Sequence, residues 1–62
     1  MPIITLEGPQ LELEEKRSLV RDITTLAART YRLPETSIIV LIRENQPDNV
    51  GVAGTLIADR SG

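Results

Sequence analysis

The chain has 62 residues, a formal net charge of −2 and a single aromatic residue, Tyr31, with no cysteine and no histidine. That excludes disulfides and makes a zinc site untenable; it argues against a nucleic-acid binder, which needs a basic face, and leaves no stacking platform for bases or flavins. No stretch is long or apolar enough to span a bilayer, and no signal-peptide pattern is present, so a cytoplasmic protein with no membrane partner is expected.

One domain, residues 1–62, is expected from the length. Surface scaling for 6.8 kDa predicts about 4,000 Å² of exposed surface once folded. A core that small, with no disulfide or metal to staple it, is expected to rely on self-association.

In chain order, Pro2 to Leu6 is rich in β-branched residues and is followed by Gly8-Pro9, which predicts a short strand. Glu7 to Glu12 reads as a connection. From Leu13 to Arg32 the period becomes helical, with Leu19, Ile23, Leu26, Ala27 and Thr30 or Tyr31 as the apolar stripe. Glu12, Glu14 and Glu15 at its start, and Arg29 and Arg32 at its end, complement the helix dipole. Pro34 disfavours helical geometry at Leu33 and sets the stop.

Thr36 to Arg43 is the strongest strand signal. Ser37-Ile38-Ile39-Val40-Leu41-Ile42 has no polar alternation after the serine, so burial of both faces is expected. One helix can cover one face; a second subunit is expected on the other. Strand, helix, strand implies a parallel pair with a right-handed crossover. Asn45 to Asn49 is turn chemistry, Val50 to Ile57 reads as a glycine-punctuated hairpin, and Asp59 to Gly62 is a polar tail expected to fray. The fold class is therefore α+β: a β-α-β subunit with a parallel two-stranded sheet, one long helix and a short C-terminal hairpin, assembling into an oligomer.

Gly51-Val52-Ala53-Gly54 is not a phosphate loop, because no Gly-Lys-Ser/Thr follows and it opens no helix. Glu14 and Glu15 are adjacent on a helix and do not face each other, so they are not an acid–base pair. Pro2 is different. If Met1 is removed, Pro2 becomes an N-terminal secondary amine, a class of group that titrates near ~8 in peptides. Desolvation beside an apolar strand lowers that value and favours the neutral amine. Such an amine can take a proton from carbon next to a carbonyl and return it elsewhere. With Met1 in place the Pro2 nitrogen is an amide and carries no such chemistry.

The Met-Pro start, Leu6-Glu7-Gly8, the single long helix, Pro34-Glu35-Thr36-Ser37 before an aliphatic strand, and Val50-Gly51-Val52-Ala53-Gly54 together resemble the 4-oxalocrotonate tautomerase family. Gly8-Pro9 and the ending from Asn49 through Arg60 look most like its DmpI-type branch. The resemblance spans nearly the whole chain. It implies a hexamer of β-α-β subunits in which Pro2 is the base of a cofactor-independent, metal-free keto–enol or double-bond isomerisation of an enol or unsaturated keto acid. In the family the proline works with two arginines and an aromatic residue. The matching positions here hold Pro9, Ile39 and Val50. Arg43 is the first candidate replacement for substrate binding, while Arg17, Arg21 and Arg60 read as ordinary surface or interface arginines. Ser37, Ile39 and Val50 are expected to line the pocket. The alternative is an oligomeric homologue of weak or no activity that serves as a binding or structural protein.

Overall fold

Ile3, Ile4 and Thr5 place three β-branched side chains in succession, and the chain extends through them. In the computed structural model, which describes residues 1–60, strand β1 spans Ile3–Gly8 and helix α1 spans Leu13–Tyr31. Strand β2 covers Ile39–Glu44, and a hairpin of β3 (Gly51–Val52) and β4 (Thr55–Leu56) follows. β1 and β2 pair in parallel, Ile3 with Ile39 through Gly8 with Glu44. The β-α-β subunit with a parallel two-stranded sheet and a C-terminal hairpin is thus the architecture the sequence predicts.

β1 runs two residues past the expected end at Leu6, because the ladder continues: Glu7 pairs with Arg43, and the Asn45 N–H donates to the Gly8 carbonyl at 2.9 Å. At the helix start the Glu15 carboxylate accepts the Glu12 N–H at 3.0 Å, satisfying one of the donors a helix start leaves free. At the other end Arg32 takes a left-handed conformation (φ 59°), and the Leu33 N–H returns to the Ala28 carbonyl at 3.0 Å.

The covered stripe of α1 differs from the expected one. Leu19, Val20, Ile23, Thr24, Ala27 and Ala28 turn inward, whereas Leu26 and Tyr31 are 55% and 60% exposed. Leu26 lies on the flank of that stripe, and Tyr31 is the last helical residue, beside the turn. The expected strand start at Thr36 is also corrected. Pro34 fixes the chain at φ −66° and a 3₁₀ turn follows over Glu35–Ser37, closed by Ser37 N–H to Pro34 carbonyl at 2.9 Å. The strand begins only at Ile39.

Alternation along the pleat sorts the sheet into two faces. Ile4, Leu6, Val40 and Ile42 are half-buried, on the side where Lys16 of α1 meets Glu44. Ile3, Thr5, Glu7, Leu41 and Arg43 point the other way and are exposed, Ile3 by 60% and Leu41 by 44%. Within one subunit, then, only one face of β2 is covered. Only Ala27 and Ala28 are buried among the described residues, and neither completely. The surface is 5004 Å², against about 4,000 Å² for a compact monomer of this mass. The radius of gyration is 15.1 Å, against about 10.6 Å for a compact chain of this length. The subunit is a thin slab that does not close its own core.

The hairpin turns at Ala53 and Gly54, both at positive φ (54° and 85°), the conformation a two-residue hairpin loop requires. The Ile57 N–H donates to the Val50 carbonyl at 2.8 Å and ties the hairpin shut. Of the tail expected to fray from Asp59, the structure describes Asp59 and Arg60. A 3₁₀ turn covers Ile57–Asp59, and the Arg60 guanidinium reaches the Val52 carbonyl at 3.4 Å. Ser61 and Gly62 lie outside the described residues. Among the described residues no helix is long and apolar enough to cross a membrane.

Candidate active site

Two strands that run parallel deliver their starts to one end of the sheet and their exits to the other. Pro2 heads β1, half-buried, and its carbonyl accepts the Ile39 N–H at 3.1 Å. That bond fixes the backbone of Pro2 against the first residue of β2. Ile39 is half-buried and pairs with Ile3, and Ser37 sits half-buried in the turn just before it. Pro2, Ser37 and Ile39 therefore share the starting end. Met1 precedes them, 80% exposed.

Arg43 and Val50 belong to the opposite end. Arg43 pairs with Glu7, four positions along the ladder from Ile39, or about 13 Å at strand rise. It lies on the open face and is exposed. Ile39 and Arg43 share one strand parity, whereas Ser37 lies in the 3₁₀ turn before the strand.

At the exit end the two connections that leave the strands enclose a cavity of about 440 Å³. Glu7, Gly8 and Pro9 form one wall; Asn45, Pro47 and Val50 form the other, with Ile57 of the returning hairpin closing it. The volume lies within the range of small-molecule sites. A second cavity of about 190 Å³ lies behind the same Glu7–Pro9 wall, against Leu11, Leu19 and Ile42. Sequence reasoning read Gly8-Pro9 and Asn45 to Asn49 only as turns. The signal that could have joined them is topological: in a parallel unit both strand exits reach the same edge, where open α/β sheets bind ligands.

The wall is held in place from β2. The Glu44 carboxylate accepts the Leu11 N–H at 2.8 Å and the Lys16 Nζ at 2.7 Å. The hydrogen bond from Lys16, then that from the Leu11 amide, holds the Glu44 carboxyl below the usual range, with burial opposing. The connection between β1 and α1 is thereby pinned to the end of β2, by Asn45 to Gly8 on one side and Glu44 to Leu11 on the other. Among the described residues no three His, Cys, Asp or Glu side chains gather as a metal-holding group.

Residues 2–60 match a family model described as tautomerase enzyme. A probable tautomerase of Halalkalibacterium halodurans is 40% identical over 63 residues, covering 97% of this chain and all of that one. The crystal structure of DmpI from Archaeoglobus fulgidus superposes with a TM-score of 0.87 at 41% identity, covering 94% of this chain and 100% of the other. A heterohexamer 4-oxalocrotonate tautomerase from Chloroflexus aurantiacus shares the fold, with a TM-score of 0.80, 22% identity and 95% of each chain covered.

Proposed function

The chain belongs to the tautomerase family, and from that premise we propose that it is a cofactor-independent isomerase whose base is Pro2 once Met1 has been removed. The observation that carries this reading is the setting of Pro2. It is half-buried, held by the hydrogen bond from Ile39, and placed at the head of a strand whose neighbours Ile3, Ile4 and Ile39 are apolar. An amine there is partly desolvated, so its neutral form is favoured near neutral pH. The neutral nitrogen takes a proton from carbon next to a carbonyl, or from an enol hydroxyl, and returns it to another atom of the conjugated system. The substrate is a small enol or unsaturated carbonyl compound.

The proposed working form is a homo-oligomer, with a hexamer as the favoured number. The surface excess of roughly 1,000 Å² over a compact monomer supports it, as does the apolar open face at Ile3 and Leu41. Pro2 and the larger cavity stand at opposite ends of one subunit. In the assembly we place Pro2 of one copy against the cavity of another, so that base and binding space come from different chains. Arg43, the first candidate for substrate binding, lies on the open face and outside the wall of that cavity.

A second reading, a binding protein with little or no catalysis, is favoured by one feature: Pro9, Ile39 and Val50 stand where the resemblance expects two arginines and an aromatic residue. The experiment is a pH–rate profile for ketonisation of simple enols, phenylenolpyruvate and 2-hydroxymuconate, with mass-verified protein lacking Met1 beside Pro2→Ala. A rate governed by one group titrating below a free amine, and lost in the variant, supports Pro2 as base. Equal background rates in both proteins refute Pro2 as base for these acids and leave the binding reading or an isomerase of another substrate.

A further inference from the structure

The larger cavity has an unusual donor inventory for a site meant to hold an acid. A carboxylate leaving water needs cations or N–H groups in place of its hydration. Of the seven residues in the wall, Pro9 and Pro47 have no N–H at all. The N–H of Asn45 is given to the Gly8 carbonyl at 2.9 Å, that of Ile57 to the Val50 carbonyl at 2.8 Å, and that of Val50 to the Pro47 carbonyl at 3.5 Å. The Gly8 N–H is used in the β1–β2 ladder, whereas the alternation of that ladder turns the Glu7 N–H away from β2 to the open edge, leaving it as the one backbone donor of the wall without a partner among the described residues. The one side-chain donor is the Asn45 amide, and its Nδ2 already faces the Glu7 carboxylate at 3.5 Å.

The charge in the wall has the wrong sign for an anion. Glu7 is its only ionisable residue. Arg43 pairs with Glu7 in the ladder but is not part of the wall, and no ion pair joins the two among the described residues. The remaining surface is the hydrocarbon of Pro9, Pro47, Val50 and Ile57.

We propose that this cavity binds an uncharged, largely apolar carbonyl or enol compound, with a hydroxyl donor turned toward Glu7, and that it discriminates against a carboxylate. The inference rests on the isomerase reading for the reaction, and binding is measurable apart from it. It assigns the substrate class of the site: neutral ketones, esters or β-dicarbonyl enols rather than the mono- or dianionic keto acids that the family resemblance implies.

The test uses one skeleton in two charge states, phenylpyruvate and its methyl ester, titrated into the oligomer lacking Met1. Binding is followed by backbone amide shifts of Gly8, Asn45, Val50 and Ile57 in NMR spectra. The ester should bind at least about tenfold more tightly than the acid, the scale of leaving one polar group poorly paired. Glu7→Gln should narrow that ratio by strengthening acid binding, and Pro9→Arg, which adds a cation to the wall, should reverse it. Phenylpyruvate binding as tightly as its ester to the unaltered protein would overturn the proposal. So would the absence of shifts with either compound at millimolar concentration, which is the result expected if a neighbouring subunit fills the cavity. Running the same titration on Pro2→Ala separates the two claims. Ester binding without any difference in ketonisation between the proteins sinks the isomerase reading and keeps the ligand class.

Discussion

The two ends of the sheet are built from different materials. At the starting end, Pro2 and Ile39 are joined by a backbone hydrogen bond, with aliphatic Ile3 and Ile4 following Pro2 along the strand, and neither residue lines either of the two cavities described. At the exit end, two proline-containing connections stand apart and leave a space of about 440 Å³. One end carries the candidate amine of Pro2; the other carries the larger of the two cavities described and a single carboxylate, Glu7. On the proposed assembly a single subunit supplies two halves of a site, and its function would depend on how copies meet.

The largest effect should come from removing the nitrogen chemistry at the starting end. Pro2→Ala, with Met1 removed in both proteins, should lower ketonisation by about 10²–10⁴-fold, the scale of one acid–base group. Circular dichroism should be unchanged, because Pro2 contributes only its carbonyl to the ladder. Undiminished turnover would break the division of labour between the ends.

Next is the face that would bring the ends of two copies together. Leu41→Glu places a charge in the exposed apolar patch formed with Ile3. Light scattering should then report a mass falling toward that of one chain, with activity lost in parallel. Retention of the full assembly would show that the open face is not where copies meet.

A smaller effect sharpens the exit end. Glu44 has its folded pKa lowered, chiefly by Lys16 and then by the Leu11 amide. Its contribution is therefore complete above the ordinary glutamate value, about 4.3, and is lost as pH falls through the lowered folded value. Urea midpoints measured downward from about pH 7 should fall in acid. Glu44→Gln should start lower and lose that part of the slope. An unchanged acid slope in the variant would assign the pH dependence to other carboxylates.

The smallest concerns the hairpin that closes the cavity. Ala53 holds φ 54° before Gly54, a conformation that costs an L-residue about 1 kcal/mol and that asparagine tolerates better. Ala53→Asn should raise stability by roughly 0.5 kcal/mol. A lower thermal midpoint would mean that the turn is held by packing rather than by its own preferences.

Most of the fold was legible because its signals are local. The β-branched run at Ile3-Ile4-Thr5, the Glu-rich helix start and the aliphatic run from Ile38 each carry their own period. What escaped was decided at a distance. The inward stripe of α1 includes Val20, Thr24 and Ala28 because it follows the position of the sheet, not the largest side chains. The turn at Glu35–Ser37 came from hydrogen bonds back to Pro34 and Glu35, although serine and threonine there look suited to a strand. Pro2 was legible as a candidate by elimination, since no histidine or cysteine competes with it. The cavity was not legible, because its two walls are separated by the whole helix and meet only through the pairing of β1 with β2.

That pairing also governs how the chain acquires its shape in time. Ile3 meets Ile39, and every later rung joins residues at the same separation along the chain. The sheet therefore has no short loop from which to zip, and its first rung carries nearly the full closure entropy of the helix-containing segment. Helix α1, with its own start and stop signals, can form in microseconds; the ladder must await it. Until the ladder closes, the apolar edges of β1 and β2 are bare, so refolding yield should decline as the chain concentration rises.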